Sequence, residues 1–311
     1  MTRVLSDADP ELREPHPSGP IELAAPGPRR PRAPRRRRWS WRRLPLYAFL
    51  ALAAIAFAYP LIWLVSASLK PRGEVFDNRL IPQTLTFDNY LQVWTQAPVA
   101  IWLLNTVIVT VLAASAVTLS SAMVAWGFAH FRFPFRGALF GLVLATMMLP
   151  AAVTMIPTFL IWNSLGLVGT LVPMWAHNLF GSAFYIFLIR QFLLALPRDW
   201  FDAARIDGAS QWTVFWRIGL PLIRPALVVT FIFEVQAVWT DLMRSLIYLR
   251  GSSTFTLPRG LKSLVDAFGF GGEWHWETIV TASVIATVPI VVLFLIAQRH
   301  FVRGISGGGL R

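Results

Sequence analysis

Residues 202–221, DAARIDGASQWTVFWRIGLP, form a polar island between two long apolar runs. Pro197 ends the preceding run, and Asp199 is placed to cap a helix with Asp202 as its third residue, a capping-box arrangement. Gly208 tolerates a left-handed turn, and Ser210 offers a cap for a second short helix. On that second helix Trp212, Phe215, Trp216 and Gly219 share a face, Arg217 points elsewhere, and Leu220-Pro221 stops it before the next apolar run. The result is a helical hairpin with an aromatic face, and Ala203, Ala204 and Gly208 leave room for close approach. It suits docking into a groove on a partner protein. A plainer reading makes it an interfacial helix, with Trp212 and Trp216 as anchors and Arg217 and Arg224 near headgroups. That explains the aromatics but not the glycine and proline spacing.

The chain outside the island is apolar. It has 311 residues, 55% of them hydrophobic and only 14% charged, with a mean hydropathy of +0.55. A water-soluble domain of this length carries far more charge, so the composition specifies an integral membrane protein. There is no cysteine, which excludes disulfides, thiol catalysis and thiolate metal sites. The net charge of +12 is concentrated in the first 43 residues, including Arg29, Arg30, Arg32, 35–38, Arg42 and Arg43. Basic residues beside a span fix topology and attract anionic lipid; nucleic acid is not an expected partner. Residues 1–43 therefore read as a disordered basic cytoplasmic tail and not as a cleaved signal.

Six apolar runs reach bilayer length, near 44–68, 101–128, 137–162, 171–195, 223–246 and 278–298. Pro150 and Pro157 interrupt the third, so a broken helix there either lines a pathway or kinks for packing. Basic residues in 130–136 (HFRFPFR), in the 197–222 loop and at Arg299 and Arg303 belong on one side. An even span count then puts both termini in the cytoplasm. Loops 69–100 and 250–277 face outward and are long enough for short interfacial helices or a docking surface.

Polar groups within the spans are costly. Glu234 lies near the middle of the fifth run, followed by Gln236, Trp239, Thr240, Asp241 and Arg244. Gln236 and Thr240 share a helical face, and Asp241 and Arg244 can pair. Asn105, Asn163, Asn178 and Tyr185 mark other spans, and His177 is solitary. Aromatic rings with amides and carboxylates suit sugar, stacking on C–H faces and exchanging hydrogen bonds with hydroxyls; they also suit span-to-span packing. Asn105, Asn163, Asn178, Tyr185, Glu234, Gln236, Trp239 and Asp241 are the candidate substrate-pathway residues. No phosphate loop, metal-ligand spacing or nucleophile motif occurs, so no catalytic or metal site and no bound cofactor is expected.

The hairpin resembles the EAA loop of ABC-importer permeases: Asp202-Ala203-Ala204, then Gly208, then Ile218 and Leu220-Pro221 keep its spacing, with Asp for Glu at 202. Ser66-Ala67-Ser68-Leu69-Lys70, Phe87-Asp88-Asn89-Tyr90, Asn105-Thr106, Leu149-Pro150, Ile156-Pro157, residues 166–170 (GLVGT) and the Gln298-Arg299 … Gly304-Ile305-Ser306-Gly307-Gly308 ending resemble the carbohydrate-uptake (maltose-type) class, in its shorter six-span member. Trp239-Thr240-Asp241, where the family tends to W-N-D/E, and the Gly309-Leu310-Arg311 end depart from it.

The resemblance implies an all-α type I importer permease: a transmembrane domain over 44–300, a coupling loop over 197–222 and a cytoplasmic tail over 301–311. Coupling would fall to Asp202, Ala203, Ala204, Asp207, Gly208, Trp212, Phe215, Ile218, Leu220 and Pro221. It further implies a second homologous permease, two ATPase subunits using ATP and Mg, an extracytoplasmic sugar-binding protein, and alternating access in a plasma (inner) membrane. Gly208→Asp is then expected to insert normally but to uncouple ATP hydrolysis from uptake. Rival readings are the same architecture importing a polyol, glycerol phosphodiester or peptide, and an ATPase-independent channel or scaffold.

Overall fold

The computed structural model describes residues 44–77, 79–269 and 275–306. The basic tail over 1–43, Trp274 and the last glycines at 307–309 lie outside them. The chain divides into two units, Met1–Ala53 and Ala54–Arg311, and the contacts discussed below belong to the second. Among the described residues the regular structure is entirely helical.

In chain order the helices are α1 (Leu44–Ser68), α2 (Asp88–Gln96), α3 (Val99–His130), α4 (Arg136–Thr146), α5 (Ala151–Ser164), α6 (Val172–Trp175), α7 (Ala183–Leu194), α8 (Asp199–Ile206), α9 (Gln211–Val214), α10 (Leu220–Leu222), α11 (Arg224–Trp239), α12 (Leu242–Tyr248), α13 (Leu257–Gly269) and α14 (Trp276–Ser306). Four stretches cross a bilayer by length and composition: Leu44–Ser68, Val99–His130, Val172–Leu194 and Trp276–Gln298. The number rises to six if α4 with α5, and the hairpin's second limb with α11, each count as one bent span.

Helix α3 is the axis. It packs against α11, α7, α13, α6 and the 3-10 turn Ala176–Phe180. One stripe supplies the core: Trp102, Val109, Ala113, Val117, Ala122 and Trp126 are all buried. Small residues at three- and four-residue spacing let neighbouring helices approach closely, as apolar surfaces in lipid require. At one end Asn105 donates to the carbonyls of Ser253 and Phe255, each at 2.9 Å. The Thr106 hydroxyl accepts the Leu257 amide at 2.7 Å. The Asn-Thr pair thus pins the loop that launches α13. Asn105→Ala strands two carbonyls and is expected to cost about 1–3 kcal/mol, read as a lower melting temperature of the purified protein.

The two motifs flanking the first connector bind each other. Asn89 donates to the carbonyls of Ser68 and Lys70 at 2.9 Å each, and the Ser68 and Tyr90 hydroxyls meet at 2.8 Å. Lys70 is fully buried; its ammonium contacts the Asp77 carboxylate and donates to the Arg79 carbonyl at 2.6 Å. The Lys70 ammonium holds the Asp77 carboxyl below the usual carboxylate range. The buried charge is acceptable because it is paired and hydrogen-bonded.

The third apolar run is broken, as its prolines predict: it bends by 96° between α4 and α5, with the break at Met147–Pro150, while Pro157 sits inside α5. The fifth run is not one helix: α11 ends at Trp239, and Asp241 caps α12 by accepting the Arg244 amide at 3.0 Å. Glu234 and Asp241 are therefore on different helices. The last helix, α14, runs to Ser306.

Candidate functional site: the 202–221 hairpin and a cavity beside α5

The hairpin is built on Trp126, near the C-terminal end of α3. Phe201 of α8 meets its indole edge-on at 5.4 Å, and Phe215 meets it at 5.5 Å. Gly219 lies against the same ring: a Cβ built there would stand 2.5 Å from it. His130, one turn further along α3, stacks on Trp126 at 3.6 Å and takes Phe201 edge-on at 4.6 Å. Phe201 and Phe215 are each 2% exposed. Both limbs thus grip one residue of the axial helix. Such contacts hold the limbs as one body, because aromatic pairs add about 0.5–1.5 kcal/mol each beyond burial.

Between the limbs the chain reverses on Gly208, at φ +83°. The Ala209 amide donates to the Ala204 carbonyl and the Gly208 amide to that of Arg205, both at 3.0 Å. This is a Schellman ending, which needs a left-handed residue at that position. Ser210 caps α9 by accepting the Thr213 amide at 3.1 Å. Arg205 spans the turn, donating to Asp202 at 3.0 Å and to Gln211 at 3.4 Å.

The sequence reading of the hairpin needs four corrections. Asp199 is the first residue of α8, with Arg198 at the cap position and no side-chain cap bond, so there is no capping box. The aromatic face is split: Phe215 and Gly219 turn inward, whereas Trp212 and Trp216 are 59% and 40% exposed. A wide π-turn follows at Phe215–Gly219 and shifts the helical phase of the residues after it. Leu220-Pro221 does not end the limb; α10 runs through them, and the 75° bend comes at Ile223. Ile206, fully outward at the tip of α8, was overlooked despite being a large apolar residue beside a turn. Of the other residues assigned to coupling, Ile218 and Leu220 are half-buried, while Asp202, Ala203, Asp207 and Pro221 are exposed.

A separate cavity of about 530 Å³ opens beside α5. Thr154, Thr158 and Trp162 of α5 line it, facing His177, Asp241, Arg244 and Tyr248. Arg244 contacts both the Asp241 carboxylate and His177, and His177 lies 3.2 Å from the Pro173 carbonyl. An aromatic wall faces a polar edge, an arrangement that takes a polar molecule with an apolar face.

Of the eight residues considered for the pathway, only Asp241 lines this cavity. Asn178, Tyr185 and Glu234 are buried elsewhere, with the Asn178 amide bonding the Glu234 carboxylate. Trp239 is buried and donates to the Ala286 carbonyl at 3.1 Å. Asn105 is committed to the α13 loop, and Asn163 and Gln236 are exposed. His177, read as solitary, is brought to Arg244 only by folding; Thr154 and Thr158 were visible as a four-residue pair on the broken run.

Residues 117–307 match the family described as "Binding-protein-dependent transport system inner membrane component". The chain belongs to that family. The permease is 32% identical over 281 residues to the probable ABC transporter permease protein YurM of Bacillus subtilis, covering 89% of this chain and 91% of that protein. It is 33% identical to the arabinooligosaccharides transport system permease protein AraQ of Halalkalibacterium halodurans, over 88% and 96% of the two chains. A chain from a bacterial ABC transporter that imports the acidic polysaccharide alginate superposes with a TM-score of 0.74 at 23% identity, over 85% and 99% of the chains. That likeness establishes the fold. The permease is thus a multi-pass inner-membrane protein.

Proposed function

We propose that this permease subunit imports a sugar or oligosaccharide by alternating access, driven through the 202–221 hairpin by partner ATPase subunits. The observation that carries the reading is the seating of both limbs on Trp126. A push on the exposed tip, at Ile206, Trp212 and Trp216, reaches α3 through rigid ring contacts and not through a loose loop. The partners are a second homologous permease, two ATPase subunits that bind ATP and Mg, and an external sugar-binding protein. Both termini and the hairpin lie in the cytoplasm, in keeping with the arginine distribution. Relatives named for arabinooligosaccharide and lactose transport support sugar as the solute class, and a freestanding channel or scaffold is not favoured.

The aromatic and polar cavity beside α5 serves as this subunit's share of the pathway. Purification from native membranes followed by mass spectrometry tests the assembly: a second permease and an ATPase are expected, and a chain that purifies alone overturns the reading. For the pathway, Trp162→Ala removes a stacking wall. It is expected to raise the half-saturating sugar concentration for uptake about tenfold, the equivalent of one lost aromatic contact, with ATPase activity in the absence of sugar unchanged.

A further inference from the structure

Beside the hairpin lies a second cavity, of about 310 Å³, lined by His130, Arg132, Arg136, Arg198, Phe201, Asp202 and Arg205, among others. Four arginines line it against one aspartate; Arg132 and Arg198 are exposed, and Arg136 donates to the Phe131 carbonyl at 3.3 Å. The aspartate, Asp202, is taken by Arg205. Among the described residues no acid pairs with Arg132, Arg136 or Arg198, and Arg205 keeps its buried Nε unpartnered. Two helices begin at the cavity, α4 with Arg136 and α8 behind Arg198, and neither start has a side-chain cap. The α4 start, with no acid in its first turn, adds positive potential to that of the arginines, whereas Asp199 and Asp202 occupy the first turn of α8. The volume greatly exceeds the roughly 30 Å³ of a water molecule.

Unpaired arginines do not gather without a reason, because their mutual repulsion opposes it. We propose that this cavity binds a phosphate-bearing anion, which bridges the end of α3 and the start of α4 to the first limb of the hairpin. Arginine forks match phosphate oxygens two at a time. Phe131 and Phe135, 42% and 80% exposed, alternate with Arg132 and Arg136 along the connector. That alternation suits a lipid whose headgroup enters the cavity while its chains lie against the rings. A soluble phosphate offers the same chemistry. Binding itself stands on this geometry; only its consequence, an α8 clamped to α3, rests on the coupling reading.

The test uses the full transporter assembly in phosphatidylcholine nanodiscs and follows amide hydrogen exchange over residues 199–206. Two probes are added in separate arms, phosphatidylglycerol in the disc and inorganic phosphate in the buffer. Either is expected to slow exchange about tenfold when present at about ten times its dissociation constant. Protection by the lipid alone identifies a headgroup, and protection by free phosphate identifies a soluble ligand. Arg132→Gln with Arg136→Gln is expected to abolish the protection, while the two lysine replacements retain part of it. Unchanged exchange over residues 106–126 certifies that each variant is folded. No protection by either probe, or equal protection in the glutamine variant, overturns the site. In either case the coupling reading stands if the assembly still transports, and falls separately if no ATPase is present.

Discussion

Gly208→Val is expected to reach the membrane at normal levels and to lose more than about nine-tenths of uptake. The position sits at φ +83°, yet a Cβ there would meet nothing within 4 Å, so the penalty comes from the backbone alone. A left-handed L-residue costs roughly 1–2 kcal/mol, and a β-branched one more. Relief comes by abandoning that conformation, which breaks the Ala209–Ala204 bond of the turn and splays α8 from α9. The limbs then no longer press on Trp126 together. Asparagine tolerates left-handed backbone, so Gly208→Asn should transport nearly normally, with alanine between the two. Aspartate shares some of that tolerance, which makes the Gly208→Asp variant suggested by sequence a gentler probe than valine. Uptake and ATP hydrolysis measured together in proteoliposomes decide the matter. A valine variant that transports normally, or an asparagine variant as impaired as valine, removes the hairpin from the mechanism.

Gly260→Ala is expected to be the most destabilising glycine-to-alanine change among the described residues, though its site lies at the other end of the axial helix. A Cβ built at Gly260 falls 2.1 Å from the Trp102 ring. The ring has no easy escape. Trp102 is 2% exposed and donates to the Ser252 carbonyl at 3.0 Å, and the adjoining loop is tied down by Asn105. Overpacking of this kind typically costs about 1–3 kcal/mol. Thermal unfolding in detergent should show a clear drop, with less protein recovered from membranes. Trp102→Phe shrinks the ring, so the double variant should lose less than the sum of the two single changes. Strict additivity would show that the glycine and the indole do not share one packing site.

Much of this was legible because lipid and water impose simple rules. Apolar runs of bilayer length gave the spans, and the turn at Gly208 and the cap at Ser210 followed from local backbone preferences that the fold did not override. Errors arose where phase or partners matter. Phe215 and Trp216 were assigned to one face, but neighbours on a helix point about 100° apart, and the core covers the first and leaves the second exposed. Asp241 looked like the continuation of a helix, but a carboxylate able to take an amide three residues on can equally begin a new one. Polar residues in the spans were split between packing and pathway by contacts over long sequence separations. Asn178 finds Glu234 and His177 finds Arg244 only in three dimensions. The Asn89 amide likewise explains why two separate short motifs flank the first connector: it takes the Ser68 and Lys70 carbonyls left by the end of α1.

Trp102 and Trp126 stand on one uninterrupted helix, 24 residues apart in sequence, and hence ~36 Å apart along its axis. A rod of that length converts rotation into translation. Tilting it by about 10° around the hairpin seat carries the far indole sideways by ~6 Å, comparable with the 5.4 Å pitch of a helix. The glycine facing that indole on α13 lies at the end of the rod's sweep, so a small angular stroke at one face is delivered at the other undiminished by any intervening joint.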